Sequence, residues 1–428
     1  MTMMKLQSKQ PRVLPVEPGS IPEPDHYNLR NGVPVYVIAS DTEDILRVDF
    51  IFRAGQIQED LPLLSSSTNM MLTEGSDNYT SEELSRKLDY YGAFINLSCE
   101  KDRAGLTIYA LNRHFRKIME LAREILFYPL FPAKELENLM KKRLQWYRIN
   151  REKVQILATE RFFESLFGNT HPYGREATEG DFGNITPGLL KDFHLKYYTP
   201  ANLAVIISGK ITDKTPSVLD NCFGGLLTKD IYTEESTAYI QEEKGRRVVL
   251  TKPGAIQSVI RIGSSSINKR HPDYPALKIV NTILGGYFGS RLMKNLREEK
   301  GFTYGVHSGL TSLDLSGYKI IATEVGSENT QNAVDEIYRE ITLLQSRPVE
   351  MDELSAVKNY MLGQMVRMFD GPFALAESFR AVWQFGLDNS YYYRFAEKIK
   401  TIRPDEIIQL AHTYYKTDEL NEIIAGTL

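Results

Sequence analysis

Cysteine is nearly absent from this 428-residue chain: only Cys99 and Cys222 occur. That excludes a disulfide framework and a cysteine-rich zinc site, suits a reducing compartment, and leaves at most one bridge formally open. No run of about 18 uninterrupted apolar residues exists to span a bilayer. Basic excess is lacking too, since 51 Lys and Arg against 55 Asp and Glu leave a net charge of −4, which argues against nucleic acid as a partner. The seven His, at 26, 114, 171, 194, 271, 307 and 412, include no pair at i,i+3 or i,i+4. No helix therefore carries two imidazoles on one face for a metal, and each His reads as structural.

What is present describes a folded chain, with 42% hydrophobic and 11% aromatic residues. The length suits two domains of roughly 200 residues, because single cores stop growing near that size. Residues 1–25 form a polar, proline-rich arm without an apolar centre, a leader arm and not a secretory signal. With no membrane segment, a cytoplasmic location is expected.

Along the chain, Asn31-Gly32 between two extended runs marks a hairpin. Residues 46–54 alternate as a strand that stops at Gly55, and Asp60 and Pro62 open a helix through LLSSSTNMML to Gly75. SEELSRKLDYYG reads as an amphipathic helix capped by Ser81, followed by two strands. Long helical stretches follow over about 112–127 and 133–168, then a helix containing Phe193, Tyr197 and Tyr198, and the strand LAVIISG. Residues 226–245 lose periodicity and gain charge, as a linker does.

The second part repeats the first. DFHLKYYTPANLAVIISG corresponds to QLAHTYYKTDELNEIIAG, with Tyr197 and Tyr414, and Gly209 and Gly426, each separated by the same number of positions; FPAKELENLMKKRL echoes RPVEMDELSAVKNYML. A constant spacing across separate elements means duplication of a domain. Two homologous domains are expected, 26–225 and 246–428. Each is α+β, a mixed, mostly antiparallel sheet with helices on one face, and the two form a clamshell.

Residues 285–309, GGYFGSRLMKNLREEKGFTYGVHSG, combine backbone requirements with unusual polar chemistry. A glycine-rich turn leads into a helix over Ser290 to Lys300 with Leu292, Leu296 and Met293 on its apolar face. Gly301 ends it, and Phe302, Tyr304 and Val306 alternate as a strand. Arg297 and Tyr304 then lie side by side. A helix-end cation and a core phenol are the plainer readings of the pair. Glu298 and Glu299 read as a solvated face, His307 as a residue three positions past Tyr304 that could line the same cleft, and the serines 65–67 as no nucleophile, because no G-x-S-x-G turn surrounds them.

This signature resembles that of the insulinase and pitrilysin zinc metallopeptidases, the inverzincins, in particular the small two-domain members; the resemblance runs from residue 26 to the end. In that family the Arg and Tyr hold substrate and polarise the scissile carbonyl, roles the resemblance implies for Arg297 and Tyr304. The family's first domain carries H-x-x-E-H on a helix. Anchored on MLTEG, those positions hold Ser66, Asn69 and Met70, or Ser65, Thr68 and Asn69 with a one-residue slip. The third ligand's place falls at Gln145, Trp146 and Tyr147, where no acid stands. The resemblance thus implies no metal in this chain and no hydrolysis by it alone. It implies a non-catalytic, substrate-binding subunit of a heterodimer, whose homologous partner brings an intact H-x-x-E-H and the zinc, acting on a peptide or unfolded segment. A purely structural homologue, with no role in catalysis, is the alternative.

Overall fold

The computed structural model of the chain describes residues 19–41, 44–227 and 240–427. Most of the expected arm and linker, residues 1–18 and 228–239, lies outside the described residues. The first sheet holds β1 (Asp25–Asn28), β2 (Pro34–Ala39), β3 (Ile45–Phe52), β4 (Phe94–Cys99), β5 (Ala104–Leu111) and β6 (Leu203–Gly209) in the order β1-β2-β6-β3-β5-β4. The second holds β7 (Arg247–Thr251), β8 (Gln257–Ser266), β9 (Val306–Ser312), β10 (Gly317–Gly326) and β11 (Asn421–Gly426) in the order β7-β11-β8-β10-β9. Apart from the extra edge strand β1, the two orders are the same. In each sheet the last strand in sequence runs parallel to one neighbour and antiparallel to the other.

The hairpin turn falls where Asn31-Gly32 places it, with Gly32 at φ 89°. Helices of the first half are α1 (Leu64–Met71), α2 (Ser81–Tyr90), α3 (Phe115–Phe127), α4 (Ala133–Asn150), α5 (Val154–Phe167), α6 (Pro187–Tyr197) and α7 (Thr215–Phe223). Those of the second are α8 (Tyr274–Asn281), α9 (Thr330–Ser346), α10 (Met351–Met368), α11 (Pro372–Trp383), α12 (Ser390–Thr401) and α13 (Pro404–Tyr414).

Three boundaries differ from expectation. The cap of α2 is Thr80, whose hydroxyl accepts from the Glu83 amide while the Glu83 carboxylate reaches back to the Thr80 amide; with two hydroxyl residues adjacent, the reciprocal bond selects the one three positions before Glu83. The helix expected over 133–168 is two helices, broken at 151–153. Asn150 turns its side-chain amide back to the Trp146 carbonyl at 2.7 Å, competing with the bond that would extend the helix. The arm does not end free at residue 25. Ile21 is buried, its amide donating to the Tyr393 hydroxyl at 2.7 Å, and Asn389 of the second half donates to the Pro22 carbonyl.

Each sheet packs its own helices on one face, forming a large apolar core for each half. The opposite face is covered too, by a helix from the other half. Ala158, Phe162 and Leu166 of α5 pack against Val259 of β8 and Ile423 and Ala425 of β11. Ala376 and Phe379 of α11 pack against Ile38, Ile51 and Ile206 of the first sheet. Burying a side chain such as Phe162 contributes about 1.5–3 kcal/mol, so this reciprocal exchange ties the halves together. Charges reinforce it: Arg47, 5% exposed, meets Asp49 on its own strand and Glu377 of α11 at 2.8 Å, and Arg103 meets Asp314.

Candidate functional site

The first candidate region is α1, which carries the residues expected at the metal-motif positions. Leu63 precedes it in the left-handed region, φ 73°, directing the chain into a helix whose residues from Leu64 to Asn69 are buried except Ser66. Ser65 is held by Glu59, which accepts from the Ser65 amide at 3.0 Å and its hydroxyl at 2.6 Å. Asn69 donates to the Gly105 carbonyl at 3.2 Å and the Tyr198 hydroxyl at 3.1 Å. Thr68 bonds back to the Leu64 carbonyl. Met70 turns outward and is 47% exposed.

Over this helix lies a guanidinium. Arg143 of α4 donates to the Ser67 hydroxyl at 2.7 Å and the Ser66 hydroxyl at 3.0 Å. Gln145 and Trp146, two of the three residues at the expected third-ligand place, are exposed, and Tyr147 packs against the first core. Burial pushes the Glu59 carboxyl above its ordinary range, with its bonds to Ser65 and the nearby Arg175 and Arg143 opposing the rise. Burial likewise lowers Arg143 and lifts the Cys99 thiol to about 11, so that thiol is neutral near neutral pH. Hydroxyls and an amide already committed to protein partners, beneath a fixed cation, do not fit a tetrahedral zinc ion. Among the described residues no group of three or more His, Cys, Asp or Glu is placed to hold a metal.

The second region is the signature. A π-helical segment, Thr282–Gly286, extends α8, and after the turn at 287–290 a second one, Met293–Glu299, makes up most of the next helix, a form that accumulates at functional sites. Gly285 is required there, because a β-carbon would lie 2.7 Å from that of Ser308 on β9. Two buttresses fix the segment. Arg291 forms a two-pronged pair with Glu353 at 2.8 Å for each bond, and Asn295 donates to Glu336 and Glu340 at 2.8 and 2.7 Å. Leu292, Met293 and Leu296 are buried, as the sequence pattern requires, while Glu298 and Glu299 face solvent.

The strand expected from Phe302 begins only at Val306. Gly301 takes φ 65° and ends the helix. The Thr303 hydroxyl then donates to the Glu324 carbonyl at 2.7 Å and accepts from the Gly305 amide at 3.1 Å, while Thr323 donates to the Gly305 carbonyl. These bonds use backbone groups that strand pairing would have taken. Tyr304 therefore projects from a pinned loop and is 93% exposed. Arg297 has no carboxylate partner among the described residues; its guanidinium lies 4.5 Å from the centre of the Phe288 ring, itself 64% exposed. His307 is exposed on the edge strand β9 opposite Ala322, its pKa lowered by partial burial and by Lys278.

Sequence reasoning missed Arg143, Glu59 and Phe288. Phe288 had a signal, being an aromatic inside a glycine-rich turn where no core requires one. Arg143 and Glu59 had none, since their partners are set by the packing of α4 and the loop before α1.

Residues 184–361 match the family model described as the peptidase M16 inactive domain. The chain is 22% identical over 347 residues to an uncharacterized zinc protease, YmxG, of Bacillus subtilis, covering 79% of this chain and 83% of that protein. It is 24% identical to a non-peptidase homolog, YmxG, of Helicobacter pylori over 68% of each chain, and 24% identical to a probable inactive metalloprotease, YmfF, of Bacillus subtilis over 55% of this chain and 56% of that one. The crystal structure of a peptidase M16 inactive domain from Pseudomonas fluorescens superposes with a TM-score of 0.79 at 22% identity, covering 95% of this chain and 98% of that one. A protease from Helicobacter pylori superposes with a TM-score of 0.83 at 19% identity, covering 94% and 100%. The resemblance read from the signature holds at the level of the fold, which is that of these M16 structures.

Proposed function

We propose, from the premise of an M16-type homologue without the metal motif, that this chain is the substrate-binding subunit of a heterodimeric zinc peptidase. It supplies Arg297 and Tyr304 to the zinc site of a homologous partner that carries H-x-x-E-H. The observation that carries this reading is the exposure of Tyr304 on a loop pinned by Thr303 and Thr323. A phenol 93% in water adds nothing to the core, and an arginine without a carboxylate partner adds little to stability. This supports a use for both outside the chain.

In the partner's site the zinc supplies the activated water. The residues of this chain would act on the other side of the reaction. The guanidinium of Arg297, stacked on Phe288, would hold a backbone carbonyl or carboxylate of the peptide, and the Tyr304 hydroxyl would donate to the carbonyl oxygen as charge develops on it.

The test is to mix this chain with a homologue from the same genome that carries H-x-x-E-H and assay hydrolysis of short and unfolded peptides. Activity in the mixture and in neither chain alone is the expected result. A zinc chain equally active by itself would favour the structural reading, in which this chain only supports its partner.

A further inference from the structure

A second site lies on the outer side of the first half, in a groove that shares no residue with either region above. Helices α2, α3 and α7 and the turn at 112–114 enclose about 910 Å³. Six cations line it, Lys87, Arg113, Arg116, Lys117, Arg123 and Lys214, against two carboxylates, Glu120 and Glu124. Glu120 is taken up by Arg116 and Lys117 at 3.2 and 3.0 Å, and Glu124 accepts from Asn78. Lys87, Arg113, Arg123 and Lys214 have no carboxylate partner among the described residues. Lys87 rests on the Tyr79 ring, and Arg113 is bonded to His114. Arg123 is fixed by the Tyr128 hydroxyl at 2.9 Å, with its Nε buried and unpartnered.

In a chain of net charge −4, an excess of four positive charges in one concave surface is a strong local field. The first turn of α7 borders it, with Thr215 and Ser217 lining the groove. Forked guanidinium donors and flexible ammonium groups together match the oxygens of a multiply charged phosphate. Tyr79 and Tyr91 give the same groove aromatic surface.

We propose that this groove binds a small phosphorylated anion. The phosphate could belong to a nucleotide, with its base against the tyrosines, or to a phosphoester without a base. Calorimetric titration of the full chain with ATP, inositol hexakisphosphate and inorganic phosphate at low salt distinguishes them. Saturable binding of one ligand per chain, weakened by added salt, is expected for ATP or inositol hexakisphosphate. Arg113, Arg116 and Lys214 are exposed, so the triple variant Arg113→Ser, Arg116→Ser, Lys214→Ser should keep the wild-type circular dichroism and melting temperature while binding at least about tenfold more weakly. An equally charged variant elsewhere, Lys141→Ser, Arg339→Ser, Arg403→Ser, should bind as wild type. Preference for ATP assigns a nucleotide, and preference for inositol hexakisphosphate assigns a phosphoester. No saturable binding of any of the three, or binding that the groove variant leaves unchanged, overturns the proposal.

Discussion

The two halves of the molecule can be compared at the buried asparagines of α1 and α8. Taking Gly209 and Gly426 as equivalent, as the repeat requires, Val205 corresponds to Glu422. Val205 pairs with Val35 and Glu422 with Arg247, so β2 and β7 correspond at a spacing slightly shorter than that of the closing strands. The same shorter spacing carries Asn69 on α1 to Asn281 on α8. Asn281 is also fully buried, donates to a strand carbonyl, that of Ser308, at 2.8 Å, and bonds to a tyrosine hydroxyl, that of Tyr415, at 3.0 Å. Tyr415 is the repeat partner of Tyr198, to which Asn69 donates. Asn69 thus takes the same architectural role that the other half gives its own asparagine. Above α1 the first half adds the Arg143 guanidinium, held over Ser66 and Ser67.

The comparison breaks if the two asparagines are not equivalent in energy. Asn69→Ala and Asn281→Ala each leave a buried tyrosine hydroxyl and a strand carbonyl short of a partner, so each should cost about 1–3 kcal/mol in urea unfolding. Tyr198→Phe in the first background, and Tyr415→Phe in the second, should recover part of that loss by removing the orphaned hydroxyl. A loss at Asn281 with none at Asn69 would leave α1 poised for some other use.

A smaller asymmetry concerns acid. His194 of α6 is 5% exposed, and burial pushes its pKa down to about 4, with its bond to the Leu126 carbonyl only partly opposing this. Its unfolded value is near 6.5. A depressed folded value means the contribution is fully present above about 6.5 and is lost as pH falls through about 4. Its repeat counterpart is Ala411, so the second half has no titratable group at that position. Amide hydrogen exchange should therefore show the first half loosening before the second between pH 6.5 and 4, and His194→Gln should reduce the difference.

The smallest expected effect is at the signature. Tyr304→Ala should change stability by no more than about 0.5 kcal/mol, because the side chain is in water and the loop is held by threonines. Asn295→Ala, by contrast, removes a buttress between the π-helical segment and α9 and should be measurably destabilising by thermal unfolding.

Much of this was legible in the sequence, for reasons tied to particular residues. Alternation and glycine stops placed β3, β6 and β11, Asn31-Gly32 placed the hairpin, and the YY repeat revealed the duplication. Arg297 and Tyr304 stood out because they fall together in the glycine-framed signature. What sequence could not give depends on contacts between distant segments. Arg143 meets serines 76 and 77 positions earlier; the exchange of α5 and α11 between sheets arises from two apolar helices that look like ordinary core helices of their own halves. The late start of β9 follows from the Thr303 and Thr323 bonds, which alternation alone does not reveal.

The central claim is that a pair of residues with no role in this chain's own fold completes a partner's active site. The most direct measurement is the peptide turnover of the mixed pair with Arg297→Ala or Tyr304→Phe in this chain, after checking that assembly is unchanged. Losing one donor to a developing oxyanion costs about 10²–10³ in turnover, and the account predicts a loss of that order for Tyr304→Phe with the stability of this chain intact. Full turnover in both variant pairs would contradict it and leave the signature as a remnant of the fold.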